Sequence, residues 1–499
     1  MAQTDVLVVG GGPTGLTLAL DLARRGAGVR IIDQAPEFPG GSRGKGLSPR
    51  SLEVLDDLAV IDRMLADGTT RMLHRKYRGA EVIAEIDPGA GQVATPGIPY
   101  PAGLMIPQWR VEQILRERLA DFGVAVELGT GLRSFSQHAG YVTAIAGEAE
   151  ISARYLVGCD GGRSTVRQAL GLSLRGETPD VQLMAVGDVE VDGLSRDAWH
   201  QWFSDDGAIM LCPLPGTGVF QVQASHELDQ DGSPLEPTLE RFQQTFDRIA
   251  GLPGVRLRSL AWRSSYRVNV RMVDQLQAGR VFLAGDAAHV HPIAGGLGMN
   301  TGIQDAYNLG WKLGLVLAGQ ATPGLLASYE EERLPIASWL LDITSERLNA
   351  VLEAIKDTGG GVDAAASPEL TQLMLRYPWS RLSRGTSSRS TGPQPGDRAP
   401  DAPLRDTVTG SPVRLFDLFR GPHFTLLGLG ERSAAALGHV GTGIVKPYLV
   451  GPGGLLDGGG HAARAYGAGA LILVRPDGYI GLIADTEDAG AVAGYLGSL

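Results

Sequence analysis

The first residues that could do chemistry are three glycines near the start of the chain. Gly10, Gly12 and Gly15 follow an apolar run at residues 5–9 and precede a helical stretch at residues 16–25. Glycine at such positions permits a tight turn, lets backbone approach a pyrophosphate, and lets a helix pack closely on a strand. The start of the helix adds free N–H groups and the positive end of a dipole. This spacing is typical of a phosphate-binding turn.

Asp33 supports that interpretation. It ends a second apolar run at residues 29–32, so strand, turn, helix, strand and acidic residue follow in the order of a dinucleotide-binding unit. A carboxylate at that position accepts hydrogen bonds from ribose hydroxyls. We predict a dinucleotide site on a parallel sheet with a right-handed crossover, rather than a purely structural turn.

Two further acidic residues follow predicted strands. Asp160 lies in an Asp-Gly turn, which by itself predicts only a turn before a helix capped by Ser164. Asp286 follows the apolar run at residues 281–284, and a carboxylate at the carboxyl end of a parallel strand faces the ligand crevice. We favour that role over helix capping. Residues 298–300 offer N–H groups at a helix start to a carbonyl or oxyanion.

The elements that must position these motifs are spread along the chain. Further strands of the first sheet are predicted at residues 124–127, 155–158 and 281–284. Because they lie far apart, the first domain must be discontinuous. The blocks at about 70–105 and 180–275 alternate apolar and polar residues, as half-buried antiparallel strands do.

The last third of the chain is predicted to be helical first and then to form a separate domain. The helical pattern extends from about residue 300 to 355, and residues 380–403 have the Ser, Gly and Pro content of a linker. Strands are predicted beyond it, at residues 424–427 and 471–474.

Composition excludes several classes of protein. Of 499 residues, 43% are apolar and 20% charged, which is ordinary globular usage. A net charge of −11 provides no basic field for nucleic acid or an anionic membrane. The longest apolar stretch near the middle, residues 313–318, is far below the roughly 20 residues of a membrane span, and no signal segment is evident. We expect a cytoplasmic protein.

Cysteine and histidine usage predicts neither a disulfide nor a metal site. Cys159 and Cys212 are far apart and form no CxxC pair, which fits a reducing compartment. His289 and His291 are two residues apart, but no third ligand is evident, and zinc sites usually need three or more protein ligands. We interpret both histidines as stabilising a turn.

Taken in this order, the three motifs resemble those of the class A FAD-dependent aromatic hydroxylases, which have a para-hydroxybenzoate hydroxylase-like fold. The resemblance covers about residues 4–375, and is strongest to polyketide-tailoring and phenol hydroxylases with a C-terminal thioredoxin-like domain. It implies that FAD is held by Gly10, Gly12, Pro13, Thr14, Gly15, Asp33, Gln34, Arg43, Gln108, Asp160, Gly285, Asp286, Pro292, Gly298, Met299 and Asn300. Pro292 is implied at the reactive flavin edge, and no side chain is assigned to catalysis.

The resemblance also implies an α/β fold with an interleaved architecture. A Rossmann-like FAD-binding domain is expected at residues 1–70, 101–178 and 276–395, and an antiparallel substrate-binding domain at 71–100 and 179–275. Residues 396–499 are expected to be thioredoxin-like without CxxC, with a role in packing or in a homodimer contact. NAD(P)H is implied as a transient co-substrate, since no second glycine-rich nucleotide unit is present.

The implied reaction is hydroxylation of an aromatic ring by a flavin C4a-hydroperoxide formed from O2. The hairpin at residues 208–222 contains no Arg, Lys or His, so we expect a neutral multi-ring phenol or quinone rather than a benzoate. An alternative is that this hairpin only fills the domain core. For Trp199, Trp202 and Phe203, each taken alone, we favour the core over a pocket lining. Candidate substrate contacts are Trp199, Met210, Cys212 and Phe220.

Three other functions remain open at this point. The same scaffold supports antibiotic-inactivating and Baeyer–Villiger oxygenases. A flavin-dependent dehydrogenase without oxygen insertion and a non-catalytic flavin-binding module belong to different classes. Incorporation of labelled dioxygen separates the oxygenases from the others.

Overall fold

A computed structural model describes residues 3–177, 183–205, 207–231, 234–267, 269–291, 296–356, 367–385, 392–440, 443–467, 469–486 and 488–499. The helices are α1 (Pro13–Ala23), α2 (Pro49–Asp57), α3 (Ile61–Asp67), α4 (Gln108–Ala120), α5 (Thr165–Ala169), α6 (Leu239–Ala250), α7 (Leu297–Leu317), α8 (Ala327–Lys356), α9 (Leu415–Phe419), α10 (Ala434–Gly438), α11 (His461–Tyr466) and α12 (Ala489–Leu496).

The strands are distributed along the described chain, singly between helices or in consecutive runs. They are β1 (Thr4–Val9), β2 (Val29–Ile32), β3 (Gly46–Leu47), β4 (Leu73–Arg78), β5 (Glu81–Ile86), β6 (Leu104–Met105), β7 (Val126–Glu127), β8 (Leu132–Gln137), β9 (Val142–Ala146), β10 (Ala149–Gly158), β11 (Arg175–Glu177), β12 (Leu183–Asp192), β13 (Ala198–Ser204), β14 (Gly207–Pro213), β15 (Val219–Ser225), β16 (Arg256–Arg267), β17 (Val270–Met272), β18 (Gln277–Ala278), β19 (Val281–Leu283), β20 (His289–Val290), β21 (Arg384–Gly385), β22 (Pro403–Asp406), β23 (Pro412–Arg414), β24 (Phe424–Leu429), β25 (Val445–Val450), β26 (Leu455–Leu456), β27 (Ala470–Val474) and β28 (Ile480–Asp485).

The first sheet carries the glycine motif. Its order is β18-β19-β10-β1-β2-β7, with β8 and β9 extending β10. Strands β1, β2, β7, β10 and β19 run parallel, so their carboxyl ends share one edge. Helix α1 is buried along most of its length and packs on β1, β2, α4 and α7. The predicted α/β fold class with a discontinuous first domain is confirmed.

The second sheet has the order β16-β12-β15-β14-β13-β4-β5 and is largely antiparallel. Because side chains alternate along a strand, one face packs on α6 and the other turns toward the first sheet. Phe242 and Phe246 of α6 join Trp202, Phe220 and Val222 in the core of the first of these faces. The second face of this sheet therefore forms one wall of the space between the two sheets.

The C-terminal sheet has the order β21-β28-β27-β24-β25-β26-β22-β23. Within it, β24 and β25 are parallel, β27 is antiparallel to β24, and β28 is antiparallel to β27. Helices α10, α11 and α12 follow β24, β25 and β28, respectively. This arrangement is the thioredoxin topology. Both cysteines, Cys159 and Cys212, are free, buried and outside this part of the chain.

Two sequence expectations differ from the structure. The helical stretch after residue 300 forms two helices, because Gly319 takes a φ of +68° after α7 and a 3-10 turn at Pro323–Leu326 precedes α8. The described ends of the predicted linker at 380–403 are bonded to the C-terminal sheet: β21 pairs with β28, and the Gly396 N–H donates to the Ile480 carbonyl over 2.7 Å. The domain limits proposed above stay predictions.

A buried charge network joins the C-terminal domain to α7 and α8. Glu332 accepts hydrogen bonds from Lys312 at 2.8 Å and from both terminal nitrogens of Arg475 at 2.6 and 2.9 Å. Asp477 pairs with Arg475 and accepts from the indole of Trp311. The side chains that form these ion pairs are each at most 1% exposed to solvent. The network fixes α7, whose first turn lies at the cleft described next.

Within the described residues, no helix combines the length and the apolar character that crossing a bilayer requires.

Candidate functional site

A single large cleft of about 2350 Å³ lies between the first and second sheets. That is more than twice the roughly 300–1,000 Å³ of a site for one small ligand. Its dinucleotide arm is lined by residues 9–14 and 32–35 together with Gln108, Asp160 and Asp286. Its sheet wall is the inner face of the second sheet, lined by Met184, Val186, Trp199, Phe203, Met210, Gln223, Trp262 and Ser264.

The glycine loop of the dinucleotide arm is set by close backbone contacts. Gly10 has a φ of +110°, and a Cβ there would lie 2.3 Å from the carbonyl oxygen of Cys159. A Cβ on Gly15 would lie 2.0 Å from the Gly10 carbonyl oxygen. Gly12 precedes Pro13 at the start of α1, and a Cβ there would meet open space in the cleft. The loop is therefore packed on one side and open where a phosphate would approach.

Asp33 organises the same arm from the end of β2. One carboxylate oxygen accepts the Gly11 N–H at 2.7 Å, and the other accepts the Ala35 N–H at 2.8 Å. Each carboxylate oxygen keeps a second lone pair for a ribose hydroxyl. Gln34 follows it along the lining of the arm.

Arg43 and Gln108 both line the cleft. Gln108 starts α4 and accepts the Gly44 N–H at 3.0 Å, while its amide nitrogen donates to Glu112 at 2.9 Å. Burial raises the pKa of Glu112 to about 6, and the charges of Arg116 and Arg43 oppose this. Arg43 itself is exposed to the cleft, where a diphosphate would find a cation.

Asp160 has a helix-capping role that the sequence did not indicate. Its Oδ2 accepts the N–H groups of Thr165 and Val166, at 2.7 and 3.2 Å, at the start of α5. Ser164 accepts from Arg167, as the N-cap prediction expected. Within the part of the chain that the structure describes, the buried Oδ1 of Asp160 has no hydrogen-bond partner, and the residue lines the cleft. That oxygen is left for a ligand.

Asp286 lies deep in the cleft in a 3-10 turn at Gly285–Ala287. Its side chain is exposed to the cleft. Because the carboxyl lies below the outer surface of the protein, desolvation raises its pKa, and the charges of His289 and Arg43 oppose this. Gly285 has a φ of +61°, and a Cβ there would lie 2.6 Å from Thr14 Oγ1. The turn thus packs directly on the glycine loop.

A second carboxylate, Asp305, holds this turn from behind. It accepts from the Gly285 N–H at 3.1 Å, pairs with His289 at 2.7 Å and with Arg333 at 2.7 Å. The sequence expectation that His289 stabilises a turn agrees with this position. Among the described residues, no group of three or more His, Cys, Asp and Glu side chains is placed to hold a metal ion.

Helix α7 begins at the same place. Gly296 precedes it in the left-handed conformation, and Gly298 and Met299 present the first turn to the cleft. Asn300 is used structurally: its side chain accepts the Ser48 N–H at 2.7 Å and donates to the Gly46 carbonyl at 3.0 Å. Pro292 lies outside the described residues.

Only some of the residues predicted to contact the substrate line the sheet wall. Trp199 and Met210 line the cleft, as does Phe203. Phe220 packs in the core on the opposite face of its strand, as Trp202 does, because strand residues alternate. Cys212 is fully buried and does not line the cleft, and burial raises the pKa of its thiol to about 11. We therefore correct Phe220 and Cys212 to structural positions.

Sequence analysis missed several residues of the wall. Trp262 and Ser264 of β16 line the cleft, and a Cβ on Gly41 would overlap the Trp262 ring. The sequence signal that could have identified them is their spacing of two residues in a predicted strand, which places both side chains on the same face. Lys45 was also missed: it brings an ammonium to a wall whose own hairpin has no cation, and its Nζ donates to Gln221 Oε1 at 2.5 Å.

Comparisons with known proteins agree with this geometry. Residues 3–344 match a family model described as an FAD binding domain, and residues 392–497 match one described as the C-terminal part of an aromatic-ring hydroxylase. The chain belongs to the FAD-dependent aromatic-ring hydroxylases. It is 40% identical to a flavin-dependent monooxygenase of Mycobacteroides abscessus, over 98% of this chain and 99% of the relative.

Two further similarities extend the comparison to polyketide enzymes. The chain is 37% identical to 6-methylpretetramide 4-monooxygenase of Streptomyces rimosus, over 79% of this chain and 73% of the relative. A crystal structure of aklavinone-11 hydroxylase with FAD and aklavinone superposes with a TM-score of 0.84, at 29% identity, over 99% and 98% of the two chains. The protein is accordingly a flavin-dependent monooxygenase, which excludes the dehydrogenase and the non-catalytic module.

The residues of the dinucleotide arm fit FAD. The open space at Gly12 accommodates a pyrophosphate, and the start of α1 supplies its N–H groups. The unpartnered Oδ1 of Asp160 and the cleft-facing carboxylate of Asp286 are acceptors for hydroxyl or ring N–H groups. Arg43 supplies the cation.

Proposed function

We propose that this enzyme hydroxylates a neutral, multi-ring phenol or quinone, consuming NAD(P)H and O2. The observation that carries the proposal is the sheet wall, an extended surface of Trp, Phe and Met side chains that shares one cleft with the dinucleotide arm. Walls of this kind bury a large aromatic body with few polar contacts. The related hydroxylase whose structure contains aklavinone supports the same substrate class.

Bound FAD supplies electron transfer from the reduced nicotinamide to dioxygen. The chain's own residues hold and orient the reactants. Gly12, Asp33 and Arg43 fix the dinucleotide, while Gly298 and Met299 direct the positive end of α7 toward the centre of the cleft. Trp199, Met210 and Trp262 exclude water from the substrate side, because their apolar side chains form the wall there.

We propose that NAD(P)H binds transiently in the open cleft. A second glycine-rich nucleotide unit is not present in the sequence, and the cleft volume leaves room beyond one ligand. The homodimer stays a prediction.

The test compares ligands as stimulators of NADPH oxidation by the FAD-loaded enzyme. An anthracycline- or angucycline-like phenol should raise the rate at least tenfold over the enzyme alone, and para-hydroxybenzoate should leave it unchanged. Strong stimulation by the small acid, with none from polycyclic phenols, would overturn the proposed substrate class.

A further inference from the structure

Lys45 occupies an unusual position for a lysine. It lies between two glycines on the segment that follows Arg43 and lines the cleft beside the sheet wall. Its Nζ lies 4.3 Å from the centre of the Trp199 ring and 2.5 Å from Gln221 Oε1. The ammonium is thus held on the substrate side of the cleft by one ring and one amide.

The charge of this ammonium is not matched by a nearby carboxylate. Within the described part of the chain, Lys45 forms no ion pair within 4.0 Å, although Asp188 is close enough to act on it electrostatically. Lys45 is half-buried, and taking a cation partly out of water without a paired anion costs desolvation free energy. Burial accordingly lowers the pKa of Lys45.

Lys312 provides an internal comparison. It is fully buried, whereas Lys45 is half-buried, and its Nζ is 2.8 Å from Glu332, with no solvent exposure of either side chain. Lys312 faces a protein carboxylate in a structural network, whereas Lys45 faces a cleft. The partner that Lys45 lacks in the protein is therefore one that a ligand can bring.

We propose that Lys45 binds an ionised phenolic or enolic oxygen of the substrate and favours its deprotonation. This inference rests on the proposed function. An ammonium has three N–H donors, and Gln221 takes one of them. A phenolate is more electron-rich than a phenol, so the same contact activates the ring for oxygen transfer. A polycyclic phenol that is neutral in water would thus bind as an anion in the cleft, with its proton released to solvent water.

Other titratable groups lie on the elements near Lys45. Asp188 on β12 and the Cys212 thiol on β14 raise the pKa of the ammonium, and Arg43 lies two residues away on its own segment. On β4, His74 contacts the edge of Trp199, and Lys76 is buried on the same strand. Asp188 repels a bound anion but also helps to keep the Lys45 ammonium protonated, so the test relies on substitutions of Lys45 itself.

The experiment uses the FAD-loaded enzyme and 1,8-dihydroxyanthraquinone, whose ionisation changes its colour. Bound to the unsubstituted enzyme, the probe should ionise at least one pH unit lower than in buffer. In Lys45→Met this shift should disappear and the Kd at pH 8 should rise about tenfold, while Lys45→Arg should keep most of the shift. Lys446→Met, at an exposed lysine of β25, is the matched control and should behave as the unsubstituted enzyme.

The outcomes separate this proposal from the proposed function. Equal probe ionisation in the unsubstituted enzyme and Lys45→Met would overturn the role of Lys45, whatever the enzyme oxidises. Failure of the unsubstituted enzyme to bind the probe would overturn the substrate class and the role of Lys45 together.

Discussion

The two sides of the cleft are built in different ways. The dinucleotide arm is made mainly of backbone, and its central glycine loop lies within a single strand-turn-helix unit, residues 4–23. The sheet wall is made of side chains on strands that lie between residues 183 and 267. Cofactor recognition is therefore local in the sequence. Substrate recognition depends on which strands become neighbours and on which face each side chain takes.

The largest effect is expected from glycines that differ only in the space around them. Gly10→Ala should destabilise the protein by more than about 4 kcal/mol, because the new Cβ overlaps the Cys159 carbonyl at a positive φ. Gly12→Ala should leave the stability of the FAD-free protein unchanged and weaken FAD binding at least tenfold, since its Cβ enters the phosphate space. Thermal unfolding and FAD titration measure both.

Gly218→Ala is the control for this pair. Gly218 also faces open space, but it lies in the hairpin turn away from the cleft lining. It should change neither quantity. Normal FAD affinity in Gly12→Ala would contradict a backbone-built phosphate site.

The next effect concerns the support behind the dinucleotide arm. Glu332→Gln should cost about 3–5 kcal/mol, because the buried Lys312 loses its carboxylate and the buried Arg475 keeps only Asp477. Glu331→Gln removes the neighbouring carboxylate, whose partner Arg381 is half exposed, and should cost less than about 1 kcal/mol. Equal unfolding temperatures for the two variants would contradict the structural importance of the network.

The sheet wall should show a pH-dependent effect at Asp188. Burial raises the pKa of this carboxyl to about 6, against the Ser42 N–H that it accepts at 3.0 Å. The folded state therefore binds the Asp188 proton more tightly than the unfolded state does. The protonated carboxyl stabilises the fold at low pH, and this stabilisation is lost as pH rises through 6. Asp188→Asn should therefore be more stable than the unsubstituted protein at pH 8, by up to about 3 kcal/mol, with the difference shrinking toward pH 4.

Asp192→Asn is the matched variant on the same strand. Its carboxylate is exposed and pairs with Arg258, so its substitution should have a small effect on stability. Unfolding temperatures measured from pH 5 to pH 8 decide the matter. A difference between Asp188→Asn and the unsubstituted protein that grows as pH falls would contradict the assigned direction.

The smallest effects should distinguish the two faces of the second sheet. Phe203→Leu, on the cleft side, should raise KM for a polycyclic substrate about three- to fivefold with little change in stability. Phe220→Leu, in the core, should cost about 1 kcal/mol of stability and leave KM unchanged. Reversal of these two patterns would show that the faces are assigned the wrong way round.

The fold was largely predictable from local sequence patterns. The glycine motif, Asp33 and the apolar runs at β1, β2 and β19 are contiguous features, and the thioredoxin-like domain followed from resemblance. The predicted linker could not be placed, because its β21 pairing depends on β28 about 100 residues later. Composition alone does not show which edge a Gly-rich segment joins.

The candidate site was predictable on one side only. Phe220 was predicted at the wall and lies in the core, since alternation does not tell which face of a strand is buried until its neighbours are known. Lys45 was not singled out, because a lysine between glycines resembles a solvated loop until Trp199 and Gln221 are placed beside it. The hairpin without cations gave an incomplete picture of the wall for the same reason.

Labelled dioxygen tests most directly the claim that one cleft brings a flavin and a polycyclic phenol together for oxygen transfer. The FAD-loaded enzyme would be incubated with NADPH, ¹⁸O₂ and the phenol that most stimulates NADPH oxidation, and the product analysed by mass spectrometry. We expect one ¹⁸O atom in each product molecule, and none when only the water is labelled. NADPH oxidation that yields hydrogen peroxide, with no label in the phenol, would contradict the account.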